Sequence, residues 1–342
     1  MAALGAAIFF GASTPLAKAL MGNISPILMA GLLYFGSGVG LMLIRIIRDH
    51  GWSNPKLLKS EWRWLFSAIC FGGVLGPILL MYGLTQISAA NASLLLNLEA
   101  VLTSTIAWII FKENADKRIV LGMFLIVIGG VILSWPHGQT VSTGWLGSLA
   151  IACACLCWAI DNNLTRKISA ADSVFIAGSK GFIAGTVNIC LAYQLGSTMP
   201  TFTIMTAVLV CGFFGYGLSL LLFVLALRGL GTSRTGAYFS VAPFIGVVIA
   251  ILFFKEETSI IFWISLIFMG SGVWLHLTEN HEHEHTHEPC FHEHKHIHDE
   301  HHQHSHDFIY DGIKAHSHPH EHKELTHSHH HYPDIDHMHT HK

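Results

Sequence analysis

Glu99 has the most chemistry to offer in this chain, because it stands near the middle of an apolar stretch running from about 87 to 110. A carboxylate at that depth is costly if it is charged and faces lipid, so it must meet a cavity, a partner or a proton. Asn91 and Asn97 lie eight and two residues away. On a continuous helix the first separation returns to the face of Glu99 and the second does not. Lys180 is another isolated charge, about two turns into the stretch 174 to 193. It could pair with Glu99, receive an anionic solute, or snorkel to a nearby interface. Asp161, Asn162 and Asn163 close a further stretch just ahead of Arg166 and Lys167, where they could form a gate or cap a helix. Lys18 and Asn188 complete the set. The expected work is substrate binding or ion coupling, with no catalytic residue and no enzyme activity.

A different chemistry fills the C-terminal end. Of 26 histidines, all but His50, His137 and His276 fall in the 62 residues from 281 to 342. The candidate metal ligands there are His281, His283, His285, His287, His292, His294, His296, His298, His301, His302, His304, His306, His316, His318, His320 and His322. Repeated His-x-His with carboxylates between supplies neutral imidazole near pH 7, which suits zinc, nickel, copper and cobalt. Four basic residues stand against twelve acidic ones in this tail, while the rest of the chain has fifteen against ten. With few large apolar side chains to bury, the tail from 279 to 342 is expected to be disordered until something binds. No cofactor is required by anything in the sequence, beyond possible Zn, Ni or Co ions on the tail.

The elements that must position Glu99 and Lys180 are membrane helices. Half the residues (51%) are hydrophobic and only 12% are charged. Windows of ~20 apolar residues, enough for one crossing, mark ten spans at roughly 2–21, 26–47, 62–82, 87–110, 117–135, 144–164, 174–193, 205–227, 233–254 and 259–278. The fold class is therefore all-α and integral to the lipid bilayer. Residues 84–113 align without a gap on 227–256, and both copies end in Phe-Lys-Glu, at Phe111-Lys112-Glu113 and Phe254-Lys255-Glu256. Two five-helix repeats follow, 1–138 and 139–278, and an odd helix number inverts the second relative to the first.

Short-loop charges set the orientation. The even loops carry twelve Lys and Arg residues, among them Arg45, Arg48, Lys59, Arg63, Arg118 and Lys167, whereas the odd loops carry only Lys255. Both termini are thus expected in the cytoplasm. Seven cysteines suggest no disulfide framework, because six lie within spans and Cys290 lies in the tail. Cys153, Cys155 and Cys157 alternate faces on a helix and read as buried small residues. Gly178-Ser179-Lys180 lacks the order of a phosphate loop, so no nucleotide motor is encoded. Glycine pairs such as Gly36 with Gly40, and Gly72 with Gly76, allow close helix packing. The stretch Gly72 to Pro77 should also free backbone groups inside its span.

The segments Leu94-Leu95-Leu96-Asn97-Leu98-Glu99-Ala100 and Trp158-Ala159-Ile160-Asp161-Asn162-Asn163-Leu164-Thr165-Arg166-Lys167, with Ala242-Pro243 before Phe254-Lys255-Glu256, resemble the EamA-type branch of the drug/metabolite transporter superfamily. The resemblance covers residues 1 to about 278. It implies a ten-helix carrier of the bacterial inner membrane, with both termini inside, exporting metabolites or other small solutes. Two departures make the halves unequal: Ala100 stands where the second half has Pro243, and Phe10-Gly11 stands where relatives commonly have Trp-Gly.

The reading is a secondary transporter of a small organic solute, whose tail senses or buffers divalent metal. An alternative is a nickel, cobalt or zinc exporter whose tail gathers its cargo. A third makes the membrane part an anchor for metal storage. Expected partners are lipid, a small-molecule solute and divalent metal ions, with no nucleic acid; the sequence sets no oligomeric state.

Overall fold

The computed structural model describes residues 2–55, 57–111, 117–135, 141–168, 171–226, 238–278, 282–287, 290–296, 316–322 and 325–330. For residues 111, 141–144 and 166, and for the tail strands, it describes the backbone alone.

The helices in chain order are α1 (Ala2–Met21), α2 (Pro26–Arg48), α3 (Trp62–Gln86), α4 (Ala89–Ile110), α5 (Lys117–Ser134), α6 (Trp145–Thr165), α7 (Ser173–Gln194), α8 (Phe202–Ala226), α9 (Ala242–Leu252) and α10 (Ile260–Leu277). Nine of them are long and apolar enough to cross a membrane among the described residues; α9 is the shorter one. Ten spans were expected. The ninth, over 233–254, is described as an apolar helix only across the 11 residues of α9, and 227–237 lie outside the described residues.

Polar side chains start several of these helices by accepting otherwise unpaired backbone N–H groups. Ser25 accepts from Leu28 N at 3.3 Å, Ser88 from Asn91 N at 3.1 Å and Ser259 from Phe262 N at 3.2 Å. Asp172 accepts from Val174 N at 2.9 Å and Phe175 N at 3.3 Å. Leu28, Met29, Leu33, Leu80, Met81, Leu84, Leu94 and Leu95 are buried in one shared core. Ile47, Ile109, Phe124, Leu252, Ile260 and Ile267 are exposed instead, which is how helices present themselves to lipid.

Between helices, small residues set the distance. A Cβ on Gly38 of α2 would stand 2.0 Å from Phe182 N of α7, and one on Gly181 would stand 2.6 Å from Gly38 N. Backbone therefore lies directly on backbone. Gly38→Ala is expected to force α2 and α7 apart and to cost about 1–3 kcal/mol, as overpacking does, read as a lowered Tm of the detergent-purified protein. Inside α3, Ile69–Leu75 is wound as a π-helix, and Phe213–Leu218 is wound the same way inside α8. The wider turns release carbonyls from the regular ladder.

Arg45 ties three elements together at one end of α2. It is 1% exposed, lies over the rings of Trp52 and Phe175 at 5.3 and 5.1 Å, and donates from Nη2 to Ser53 O at 2.8 Å and from Nε to Asp172 Oδ2 at 3.3 Å. The sequence had used this arginine only to orient the chain. Burial by itself pushes the Asp172 carboxyl up, but hydrogen bonds from Arg48 and the Phe175 N–H outweigh it and hold the group below the usual carboxylate range. A carboxylate with a depressed folded-state pKa stabilises above its unfolded value, about 3.9, and that contribution is lost as pH falls through the folded value. Asp172→Asn keeps the cap but removes the charge. It should lower Tm at pH 7 by about 2–4 °C, with the gap to wild type closing below about pH 4.

The chain divides into two compact units, Met1–Glu279 and Asn280–Lys342. The second was expected to be disordered until something binds; four strands are described in it, β1 (Glu282–His287), β2 (Cys290–His296), β3 (His316–His322) and β4 (Leu325–His330). β1 pairs antiparallel with β4, and β2 with β3. The low apolar content argued against a buried core, but the two-residue repeat of His-x-His is also the period of a strand. Of the candidate ligands, His281, His298, His301, His302, His304 and His306 lie outside the described residues.

Candidate functional site

α6 and α7 meet at an ion pair away from solvent. Lys180 Nζ donates to Asp161 Oδ1 at 2.6 Å and Oδ2 at 2.7 Å, and to Thr165 Oγ1 at 3.2 Å. Thr165 Oγ1 donates in turn to Asp161 Oδ1 at 2.8 Å. Asp161 is 5% and Lys180 6% exposed. Lys180 thus neither snorkels outward nor pairs with Glu99. Only glycine fits opposite, since a Cβ on Gly72 of α3 would stand 1.9 Å from Asp161 Oδ2. The π-helical turn there offers the Gly72 carbonyl to Tyr34 Oη at 2.8 Å and to Trp158 Nε1 at 3.0 Å, while Gly73 O accepts from Asn188 Nδ2 at 3.3 Å. Backbone groups freed in α3 are thereby received by protein, as a membrane interior requires.

Glu99 stands beside this pair and outside it. Its Oε1 accepts from Asn162 Nδ2 at 2.9 Å, and Asn162 also reaches Thr103 Oγ1 at 3.4 Å. Asn163 Nδ2 donates to Ala159 O at 2.8 Å and Thr103 O at 3.3 Å. The three residues Asp161 to Asn163, expected as a gate or a cap, take different partners within one turn: Lys180 of α7, Glu99 of α4, and the carbonyls of Thr103 on α4 and Ala159 on α6. Glu99 itself is half-buried and Asn162 exposed. Among the described residues no ion pair involves Glu99. A carboxylate can accept about four hydrogen bonds, so it has capacity left for a proton or a cationic solute.

Asn97 turns elsewhere. The α4 ladder is interrupted at Leu96, between Ala89–Leu95 and Asn97–Phe111, so a spacing of eight no longer fixes Asn91 on the face of Glu99. Asn97 is 3% exposed and bonds Leu94 O at 2.8 Å, while its Oδ1 has no partner among the described residues. Aromatic rings pack around Trp158, which shares a face of α6 with Asn162 one turn on. Phe10 lies 6.2 Å from Trp158, 5.9 Å from Tyr216 and 5.3 Å from Phe239, and Tyr34 lies 5.2 Å from Tyr216.

Two residues, Lys18 in the last turn of α1 and Glu256 just beyond α9, matter more than the sequence implied. Glu256 accepts Ala89 N on Oε1 at 2.9 Å and Ala90 N on Oε2 at 2.8 Å, which satisfies the start of α4. Lys18 Nζ donates to Leu84 O and, at 3.1 Å, to Ile87 O, which does the same for the end of α3. The repeated Phe-Lys-Glu was the available signal for Glu256, but its target could not be read from one strand of sequence. Cys155 is buried with Sγ 3.8 Å from Leu95 O, and the six described cysteines are all free. Among residues with described side chains, no group of three or more His, Cys, Asp or Glu is placed to hold a metal ion.

Apolar helices enclosing a buried ion pair and a spare carboxylate define a multi-pass membrane protein built for transport. Residues 1–135 and 145–278 match the EamA-like transporter family, and the chain belongs to it. It is 29% identical over 285 residues to an uncharacterized transporter of Methanothermobacter thermautotrophicus, covering 79% of this chain and 83% of that one. It is 28% identical over 257 residues to the uncharacterized transporter YyaM of Bacillus subtilis, covering 72% and 83%. A shorter likeness, 31% over 110 residues, covers 32% of this chain and 91% of a probable 4-amino-4-deoxy-L-arabinose-phosphoundecaprenol flippase subunit, ArnE, of Pseudomonas aeruginosa. A solved crystal structure shares the fold at a TM-score of 0.61 and 18% identity, covering 80% of this chain and 94% of that one.

Proposed function

We propose that the protein is a secondary exporter of a small organic solute across a bacterial inner membrane, with Glu99 as the group that binds solute or coupling proton. The observation that carries this reading is the contrast between two acids. Asp161 is closed by Lys180 and Thr165. Among the described residues Glu99 has one side-chain hydrogen bond, from Asn162, and it is partly accessible. A carboxylate of that kind complements a proton or a protonated amine.

Alternating access through two inverted repeats, 1–138 and 139–278, is supported by how contacts exchange under the sequence shift of 143. Gly38 becomes Gly181, so their mutual contact maps onto itself. The approach of Gly122 to Gly272 O maps onto that of Gly129 to Ser265 O with the partners swapped. The π-helical segments end at Leu75 and Leu218, which the same shift relates. The excess of Lys and Arg in the even loops supports cytoplasmic termini, and the histidines support a tail that binds Zn, Ni or Co and adjusts transport.

Divalent metal export is the second reading, favoured by the histidines alone. Inside-out vesicles offered a metabolite mixture and, separately, zinc, nickel and cobalt should accumulate an organic solute only when they contain the protein. Accumulation of metal with no organic solute would transfer the assignment to the second reading.

A further inference from the structure

Pro15 leaves a backbone carbonyl without its helical donor inside α1. A proline has no N–H, so the carbonyl of Gly11, four residues earlier, cannot receive the usual bond, and Gly11 is buried against α9. A Cβ on Gly246 of α9 would stand 2.8 Å from that Gly11 O and 2.6 Å from Ser93 Oγ of α4. Oxygens from two helices thus converge on one point. Ser93 is 1% exposed, and its hydroxyl has no hydrogen-bond partner among the described residues. Asn97 Oδ1 and Thr14 Oγ1 are in the same position, on residues 3% and 1% exposed.

These last two oxygens lie close to the first two for reasons of helix geometry. Asn97 Nδ2 donates to Leu94 O at 2.8 Å, which turns the amide back toward the turn that holds Ser93. Thr14 follows Gly11 by three residues, a spacing that makes helix neighbours. Because Lys18, near the end of α1, reaches Ile87 O just before α4 begins, the two helices run in opposite directions. Side chains lean toward the start of their own helix, so Thr14 and Asn97 lean toward each other.

We propose that Gly11 O, Thr14 Oγ1, Ser93 Oγ and Asn97 Oδ1 form a sodium site at the crossing of α1, α4 and α9. Neutral oxygen donors suit a hard ion, not zinc or nickel. With no carboxylate among them, they match a single positive charge. Freed carbonyls beside a broken helix, at the meeting of two repeats, are where a membrane interior can hold such an ion. Ser93 and Asn97 stand on either side of the α4 break at Leu96, and the leading part of α4 packs on α9 while the trailing part carries Glu99. An ion held by both residues therefore fixes the angle at which Glu99 is presented. Binding is a claim about these four oxygens alone; the ion's use in coupling rests on the reading of the protein as a secondary transporter.

Full-length protein in detergent, melted in sodium, potassium or N-methylglucamine chloride at one ionic strength and titrated with radiolabelled sodium, tests the site. Saturating sodium should raise Tm by about 2–4 °C over N-methylglucamine. Ser93→Ala should weaken sodium binding by about tenfold or more without lowering Tm in sodium-free buffer, because the hydroxyl it removes has no partner to lose. Pro15→Ala returns an N–H to the Gly11 carbonyl and should weaken sodium binding as well. Glu99→Gln should leave sodium affinity within about twofold, so failure of the Glu99 reading and failure of the sodium site are separate results. Equal melting in all three salts, with no labelled sodium bound, would overturn the site and leave a bridging water as the occupant. Sodium binding that neither Ser93→Ala nor Pro15→Ala weakens would place the ion elsewhere and overturn it too.

Discussion

Glu99→Gln is expected to yield a folded, membrane-inserted protein whose transport rate falls by at least about tenfold, the factor carried by 1.4 kcal/mol. Gln keeps the carbonyl that accepts from Asn162 Nδ2 at 2.9 Å, so packing and register are preserved while charge and titration are removed. Whatever transport persists should be insensitive to pH where wild type responds, because a coupling carboxylate must take up and release a proton or a cation between its two access states. Glu99→Ala should transport no better and melt lower, since it leaves Asn162 without its acceptor. The measurement is solute uptake into inside-out vesicles across pH, at matched levels of inserted protein. Normal transport by the Gln variant at every pH would make Glu99 a structural residue and move the pathway to the aromatic cluster around Trp158.

The second large effect concerns stability. Lys180→Met should destabilise the protein by about 3–5 kcal/mol, because it strands the Asp161 carboxylate in a buried site. Asp161→Asn should cost a similar amount by stranding the ammonium. Combining the two removes both charges, and the double variant should recover most of the lost stability. Thermal melting of detergent-purified protein checks this, with transport of the double variant measured alongside. A double variant as unstable as either single one would show that the pair is not a closed unit. A stable double variant that does not transport would give the pair a part in the cycle beyond holding α6 against α7.

These two experiments separate acids that the sequence treats alike. Both Glu99 and Asp161 are single carboxylates in apolar stretches, and reading order puts Lys180 equally within reach of either. The choice depends on how α6 and α7 meet, with Gly72 of α3 leaving room for the Asp161 carboxylate, and nothing local to position 180 encodes it. Asn162 and Asn163 illustrate the same limit. Adjacent residues on a helix point about 100° apart, so neighbours in sequence acquired different partners on α4 and along α6 itself. Arg45 was legible as a topological charge but not as a brace, because its partners Ser53 and Asp172 belong to a loop and a distant helix cap.

What the sequence determined by itself is what depends on composition and period. Apolar windows located the helices, since a bilayer accepts few other ways of satisfying a backbone. The repeat and its Phe-Lys-Glu endings pointed to two related halves, and Gly72 to Pro77 marked where a helix would loosen. Tertiary structure alone decided which polar groups meet, for those contacts join residues up to 167 positions apart, as in Glu256 with Ala89. In the tail the division is similar. Alternating histidines raise the expectation of metal chemistry, but a period of two fits both an extended coil and a strand. Only pairing between distant strands sets histidine opposite histidine, because register is a property of two segments and is written in neither.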